Sequence, residues 1–220
     1  MYLKAFSTGV AAVLIFLSSC GNKTKTVEPV AEQPTAVATE ASKEFKVDVA
    51  ASFLKWKGTK LGGEHFGTIN IQSGAMNLEN DIIKAGSFMV DMNSIVVDDI
   101  KEEEYNTKLK NHLASPDFFN IASFPTSKFE ITSAEKLAAA DDKGNNYTIS
   151  GNLTIKDISK NISIPAKVDI QEGSFHAVAV FSIDRTEWDI KYNSGKFFKN
   201  LGDKLINDAI EFELDLKAKP

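Results

Sequence analysis

Three histidines are the side chains of this 220-residue sequence that most readily bind metals or transfer protons. His65, His112 and His176 lie far apart, and none has a second ligand at the spacing of a metal motif. His112 lies beside an apolar stripe at helical spacing, where we expect a local hydrogen bond. A Gly-rich phosphate loop, a nucleophile elbow and paired inward carboxylates are also absent from the sequence. The sequence therefore predicts no metal site, no catalytic residue and no enzymatic activity.

Two further sets of charged side chains could take part in chemistry or binding. To form a metal site or an acid–base cluster, Glu102, Glu103 and Glu104 would have to face the same way. Adjacent residues on a helix point in different directions. We interpret it as the solvated first turn of a helix, where acidic side chains complement the helix dipole. Arg185 follows Asp184 at a predicted strand end. It forms either a structural ion pair or a contact with a ligand head group.

The one cysteine, Cys20, ends the segment Leu17-Ser18-Ser19-Cys20. Lys4 and an apolar run from Gly9 to Leu17 precede it, and that run is too short to span a bilayer but typical of a secretory signal. The four residues resemble the bacterial lipobox, in which the cysteine is lipidated and becomes the first residue. We expect a signal peptide over residues 1–19, a membrane anchor at Cys20 and a place in the bacterial cell envelope, on the periplasmic face or the cell surface. One cysteine also excludes an internal disulfide and a thiolate metal cluster.

The composition changes after the predicted anchor. Residues 21–44 contain no aromatic side chain and are rich in Thr, Val, Ala, Glu and Pro. We therefore assign residues 20–44 to the anchor and a flexible tether, and residues 45–220 to one domain. With 43% hydrophobic and 25% charged residues, the chain has a globular composition. Its net charge of −5 argues against nucleic acid or an anionic membrane surface as a partner.

The domain consists mainly of alternating apolar and polar residues, which predict half-buried strands. The clearest case is the antiparallel hairpin Tyr147–Ile170, with bend residues at Lys156-Asp157 and Ser159–Asn161. Similar alternation occurs around Leu54 and Trp56, Ile82–Ile95, Phe129–Ile131, Phe175–Ile183 and Ile210–Leu216. Eight or so antiparallel strands predict either a sandwich or a closed barrel.

Two helices interrupt the strands in this prediction. Asp99 and Glu102 have the spacing of a capping box, and Tyr105, Leu109 and Leu113 follow at four-residue intervals. The segment Phe197–Asn207 predicts a second, short amphipathic helix, which Gly202 weakens.

Two segments carry a family resemblance: Asn111–Asn120, which reads NHLASPDFFN, and Phe124–Phe129, which reads FPTSKF. Both resemble the signature of the YceI-like family, and three further segments agree in order: Val90–Ile95, Ile149–Ile155 and Asp184–Ile190. The resemblance covers about Phe45 to Leu216. It implies an all-β, eight-stranded antiparallel, lipocalin-like barrel with one or two short helices. Its ligand would be an elongated apolar lipid, in this family a polyisoprenoid or isoprenoid quinone.

The segment Lys191–Asn207 is longer than the family pattern leads us to expect, so it could cap or reshape the mouth of the barrel. A packed core fits the alternation as well as a cavity does, and the resemblance favours the cavity. We expect its lining to comprise Leu54, Trp56, Phe66, Phe88, Val90, Met92, Phe129, Ile131, Tyr147, Ile149, Leu153, Ala177, Ala179, Phe181, Trp188 and Phe198.

The leading hypothesis is a membrane-tethered carrier of an isoprenoid-type lipid with no other cofactor. The alternative is a structural or protein-interaction barrel with a filled interior. A hydrolase or isomerase ranks third, because no catalytic constellation supports it.

Overall fold

The structure, a computed structural model, describes residues 24–171 and 173–220. The predicted signal peptide and the predicted lipidation site at Cys20 lie outside these ranges. The described residues form one α-helix, α1 (Glu103–Ala114), and three short 3₁₀ turns at Met92–Ser94, Arg185–Trp188 and Gly202–Lys204. They also form ten strands: β1 (Val30–Ala31), β2 (Lys43–Val47), β3 (Phe53–Lys60), β4 (Gly63–Glu79), β5 (Ile82–Asp91), β6 (Thr126–Lys136), β7 (Tyr147–Ile155), β8 (Ile158–Gln171), β9 (Ser174–Asp184) and β10 (Ile206–Lys219).

Eight of these strands close into an antiparallel barrel, which the family resemblance implied and the strand pattern alone left open against a sandwich. Each strand from β3 to β10 pairs with the next, and β10 returns to pair with β3. The first half of the long β4 pairs with β3, and its second half pairs with β2. Because β2 also contacts the end of β10, it completes the wall where β3 no longer reaches.

The predicted hairpin is formed by β7 and β8, with the apolar faces in register: Tyr147 lies opposite Ala166, and Ile149 opposite Ile164. Lys156 and Asp157 form a two-residue turn and both have positive φ angles, 51° and 58°. Such turns match the twist of the strands they join. The prediction of further bending at Ser159–Asn161 was wrong, because the tight turn lets these residues enter β8 directly.

The helix predicted after Asp99 is present as α1, but the capping box is not. Glu102 is the N-cap residue, and its side chain makes no capping hydrogen bond. The Asp99 carboxylate is occupied elsewhere: it lies 2.8 Å from Nδ1 of His65 and accepts a hydrogen bond of 3.1 Å from the Phe66 amide. Asp99 thus ties the approach to the helix to β4 rather than starting the helix.

The second predicted helix, over Phe197–Asn207, was wrong. The segment contains only the 3₁₀ turn Gly202–Lys204, and β10 begins at Ile206. Asn200 and Gly202 have φ angles of 59° and 54°, in the left-handed region. Two left-handed residues so close together interrupt a right-handed helix, whatever the apolar spacing indicates.

The described part of the predicted tether contacts the barrel instead of standing free. The ladder between β8 and β9 extends only to the pair Lys167–Val178. Beyond that pair, Val27 donates a backbone hydrogen bond of 2.8 Å to Ser182 of β9, and Val30 pairs with Asn161 of β8. Residues 24–36, hereafter the N-terminal strap, therefore provide hydrogen bonds to the diverging parts of both strands.

A buried asparagine fixes the strap further along. Asn152 of β7 is 1% exposed, and its side chain exchanges two hydrogen bonds with the Gln33 backbone, at 3.1 and 2.7 Å. Asn161 donates to the same Asn152 oxygen at 2.9 Å. The composition of the strap gave no sign of this contact, because the polar groups that hold it lie on the barrel.

Candidate ligand-binding cavity

Two adjacent cavities of about 280 and 150 Å³ lie in the barrel interior. We call them the upper and the lower chamber. Their walls share five residues, Leu54, Val90, Ser127, Leu153 and Phe181, which form a waist between them. The combined volume falls within the range of roughly 300–1,000 Å³ that is usual for small-molecule sites. The shape suits an elongated molecule better than a round one.

The upper chamber carries the polar groups of the interior. Helix α1 and the loop after it close it with Leu109, Leu113, Phe118 and Phe119. Thr59, Lys60, His65, His112 and Arg185 also line this chamber, whereas Ser127 and Lys128 are the two polar residues lining the lower one. The polar side chains of the interior thus concentrate at the upper end, although Arg185, His65 and His112 are already paired with carbonyl or carboxylate groups of the protein.

Small residues create the space in the lower chamber. Ala177 and Ala179 of β9 face inward between Phe175 and Phe181. On β7, a Cβ at Gly151 would lie 2.3 Å from the tip of the Phe129 ring, so only glycine lets this ring lie against the strand. The chamber therefore depends on small residues at these positions.

The structure places most of the predicted lining residues around the two chambers. The waist includes Leu54, Val90, Leu153 and Phe181; Trp56 and Met92 line the upper chamber; and the lower chamber is lined by Phe88, Phe129, Ile131, Ile149, Ala177 and Ala179. Contact of these residues with a ligand stays a prediction.

Four predicted lining residues lie elsewhere. Trp56 pairs with Gly67, so the odd-numbered residues of this part of β4 face inward and Phe66 faces outward. Phe198 is half-exposed in the loop before β10. Tyr147 and Trp188 are buried but line neither chamber, and the Trp188 indole donates a 3.0 Å hydrogen bond to the Leu153 carbonyl. These two aromatic residues belong to the packed core.

Other lining residues were absent from the predicted set although the sequence contained a signal for them. Alternation in the strands indicated Phe212, Leu214 and Leu216 of β10 and Ile162, Ile164, Ala166 and Val168 of β8. The helical spacing indicated Leu109 and Leu113. Ile95, Phe118, Phe119 and Ile190 lie in turns, where no periodicity marks the direction of a side chain.

Arg185 is 2% exposed and lies at the edge of the upper chamber. Its guanidinium donates to the carbonyls of Ile190, Ile206 and Asn207 at 2.8, 3.2 and 3.2 Å, and it lies 3.3 Å from the carboxylate of Asp208. Burial lowers the pKa of Arg185, while the nearby Asp208 and Asp184 oppose that shift. These contacts establish a structural ion pair that holds the start of β10 against the end of β9.

Each histidine pairs with one aspartate. His65 pairs with Asp99, and His112 lies 3.1 Å from Asp117, as the expectation of a local hydrogen bond required. His176 lies 3.1 Å from Asp215 on the outside of the barrel. Burial raises the pKa of Asp99, but hydrogen bonds from His65 and the Phe66 amide outweigh it and hold that pKa below its usual value.

Within residues 24–171 and 173–220, no group of three or more His, Cys, Asp or Glu side chains is placed to hold a metal ion. Nor does that part of the chain contain a helix long and apolar enough to cross a membrane.

A model of the YceI-like domain matches residues 45–218, which is most of the chain and the whole barrel. The chain belongs to the YceI-like domain family. Protein YceI from Salmonella arizonae is 28% identical over 128 residues, spanning 57% of this chain and 61% of that protein. The chain thus matches about three fifths of the length of this relative.

Two solved structures share the fold of this YceI-like domain. BcnA of Burkholderia cenocepacia superposes with a TM-score of 0.55 at 18% identity, covering 78% of this chain and 98% of BcnA. A polyisoprenoid binding domain from Saccharophagus degradans, implicated in plant cell wall breakdown, gives 0.54 at 13% identity, covering 80% and 97%. At these identities the likeness establishes the architecture of the barrel.

Proposed function

We propose that this YceI-like protein is a membrane-tethered carrier that holds an elongated apolar lipid, an isoprenoid or isoprenoid quinone, inside its barrel. The observation that carries the proposal is the pair of adjacent chambers with almost wholly apolar walls. The family membership and the polyisoprenoid binding domain with the same fold support the ligand class. A barrel with a filled interior, the alternative function, would not need the open lower chamber.

The lining supplies affinity for a chain of carbon atoms. Each CH₂ moved from water into an apolar environment gains about 0.8 kcal/mol, so a five-carbon isoprene unit gains about 4 kcal/mol before the cost of ordering it. We orient the polar head toward the upper chamber, where Thr59 and Lys60 lie, with the tail running past the waist at Leu153 and Phe181 into the lower chamber. The ligand needs no covalent or metal link in this arrangement.

A titration with isoprenoid alcohols of increasing length tests the proposal. The delipidated protein should bind each longer alcohol more tightly until the tail fills both chambers, after which the Kd should level off. Straight-chain alcohols of equal carbon number serve as the control for simple hydrophobic partition. A Kd that is independent of chain length, or absence of binding for the whole series, would contradict lipid carriage.

The tether is tested separately through Cys20. The change Cys20→Ser should abolish lipid labelling of the protein in cells and leave the precursor uncleaved by lipoprotein signal peptidase. Both observations would be explained by loss of the sulfur that accepts the lipid. A Cys20→Ser protein that is labelled and matured like the parent would refute the anchor and the proposed envelope location without touching the barrel.

A further inference from the structure

The loop between the 3₁₀ turn Arg185–Trp188 and strand β10 lies at the end of the barrel that holds the upper chamber. We call residues 191–204 the rim segment. It is flanked by Ile190 and Ile206, which both line the upper chamber. Within it, Tyr192 stacks edge-on against His112 at 4.6 Å, and the Asn193 carbonyl accepts a 3.0 Å hydrogen bond from the Ile206 amide. The rim segment is therefore fixed beside the opening of the cavity.

Two large apolar side chains point outward from this segment. Phe197 and Phe198 are each 49% exposed, although they are neighbours in sequence. Leu61, also exposed, lies in the β3–β4 turn directly after Lys60, which pairs with Ile206 at the same end of the barrel. Adjacent exposed aromatic residues on a folded domain commonly mark a surface that is covered in use.

The charge of the rim segment is opposite to that of the whole protein. It contains four lysines, Lys191, Lys196, Lys199 and Lys204, against the single acid Asp203, while the chain has a net charge of −5. Lys191 and Lys196 form ion pairs with aspartates of the neighbouring turn. Among the described residues, Lys199 and Lys204 form no ion pair, so their charges are available to an anionic partner.

A buried serine holds the two phenylalanines in place. Ser194 is fully buried, and its carbonyl accepts hydrogen bonds from the amides of Phe197 and Phe198 at 3.1 and 3.0 Å. The aromatic pair is thus presented by a tight turn and not by a loose loop. Binding through it loses little conformational entropy, because the backbone is already ordered.

From these observations we propose that the rim segment docks the barrel onto the surface of a bilayer that contains anionic phospholipids. Phe197 and Phe198 would enter the interface between head groups and acyl chains, and Lys199 and Lys204 would contact the phosphates. Aromatic residues favour that depth, and each lysine near an anionic surface strengthens binding about fivefold. The inference concerns an outer surface and does not depend on which ligand the barrel holds.

A tryptophan placed in the rim segment can report this docking in the full chain. Phe198→Trp should show emission that phospholipids brominated on their acyl chains quench, in vesicles of phosphatidylcholine with phosphatidylglycerol. The matched control is Ile82→Trp, a site that is also 49% exposed but lies after the β4–β5 turn, at the end of the lower chamber. Any attachment through the N-terminal region is common to both variants, so the comparison shows which end of the barrel faces the bilayer.

We expect strong quenching for Phe198→Trp and little for Ile82→Trp. Adding Lys199→Glu and Lys204→Glu to Phe198→Trp should reduce the quenching severalfold, and replacing phosphatidylglycerol with phosphatidylcholine should do the same. Equal quenching at both sites, or quenching at neither, would overturn the docking surface and favour a protein as the partner of the exposed aromatic pair. Quenching that neither the lysine changes nor the lipid change reduces would overturn the anionic specificity.

Discussion

The substitution Ala179→Phe tests whether the lower chamber is space for a ligand. Ala179 is buried on β9, lines the lower chamber and lies opposite Leu214 of β10. A phenyl ring at this position points into a cavity of about 150 Å³. An apolar cavity of that size is large enough to hold a benzene molecule. The ring can therefore occupy the chamber without displacing the wall.

The expected magnitudes follow from the volume that the ring takes. In a filled core the added ring would cost about 1–3 kcal/mol of stability through overpacking. In an open chamber the free energy of unfolding of the ligand-free protein should stay level or rise, because the ring buries apolar surface. A ligand that loses room for one five-carbon unit loses about 4 kcal/mol, which is roughly a thousandfold in Kd.

Urea unfolding of delipidated protein and a titration with a fluorescent isoprenoid measure the two quantities. Val180→Phe is the matched control, because it adds the same ring to the adjacent residue, which is 47% exposed on the outside of β9. The control should leave binding unchanged. Lower stability of Ala179→Phe together with unchanged binding would refute the assignment of the lower chamber as ligand space.

Three further predictions concern the elements that hold the barrel together. Asn152→Ala should destabilise the protein by about 1–3 kcal/mol in urea unfolding, because it removes both hydrogen bonds to Gln33 and leaves buried polar groups unpaired. Arg185→Leu should lower the free energy of unfolding by about 3–5 kcal/mol, because it leaves three carbonyls and a carboxylate without their partner. Arg185→Lys should not recover this stability, because an ammonium group lacks the planar set of donors of a guanidinium. The depressed pKa of Asp99 means that its stabilisation is complete above about pH 4 and is lost as the pH falls through the folded-state value. Asp99→Asn should therefore flatten the acid side of a plot of unfolding free energy against pH.

Ser150→Ala is the control for the strap, because Ser150 lies on the same strand as Asn152 and bonds Ser163 instead of the strap. It should leave stability nearly unchanged. Equal stability of the Asn152→Ala protein and its parent would show that the strap adds nothing to the barrel. A parallel loss of stability in acid for Asp99→Asn and its parent would show that the contact with His65 is not the source of the pH dependence.

Alternation along the chain was enough to predict the antiparallel strands and most of their inward faces, whereas the choice of a closed barrel with a cavity came from the family resemblance. Alternation works because an antiparallel strand with one buried face repeats every two residues, and this period is visible in β7, β9 and β10. It failed where hydrophobic residues occupy both faces of a strand. Phe66 was predicted to face inward, and only the pairing of Trp56 with Gly67 shows that it does not.

Two of the remaining errors arose from contacts distant in sequence. The Asp99 carboxylate was predicted to cap α1, but His65 and the Phe66 amide, more than thirty residues earlier, bind it instead. The N-terminal strap was predicted to be part of a tether because it contains no aromatic residue, whereas Asn152 and the edges of β8 and β9 hold it to the barrel. The helix predicted around Phe198 is absent for a local reason: Asn200 and Gly202 are left-handed, and apolar spacing does not reveal this.

Mass spectrometry of an organic extract of the purified protein tests the central claim most directly. The full chain, isolated from several expression hosts, should release a long-chain isoprenoid lipid or quinone, and the Ala179→Phe protein from the same hosts should release much less. The Val180→Phe protein should release as much as the parent. If the extracts from all hosts contained no such lipid, the proposal of a lipid carrier would be contradicted and an interaction module would be favoured.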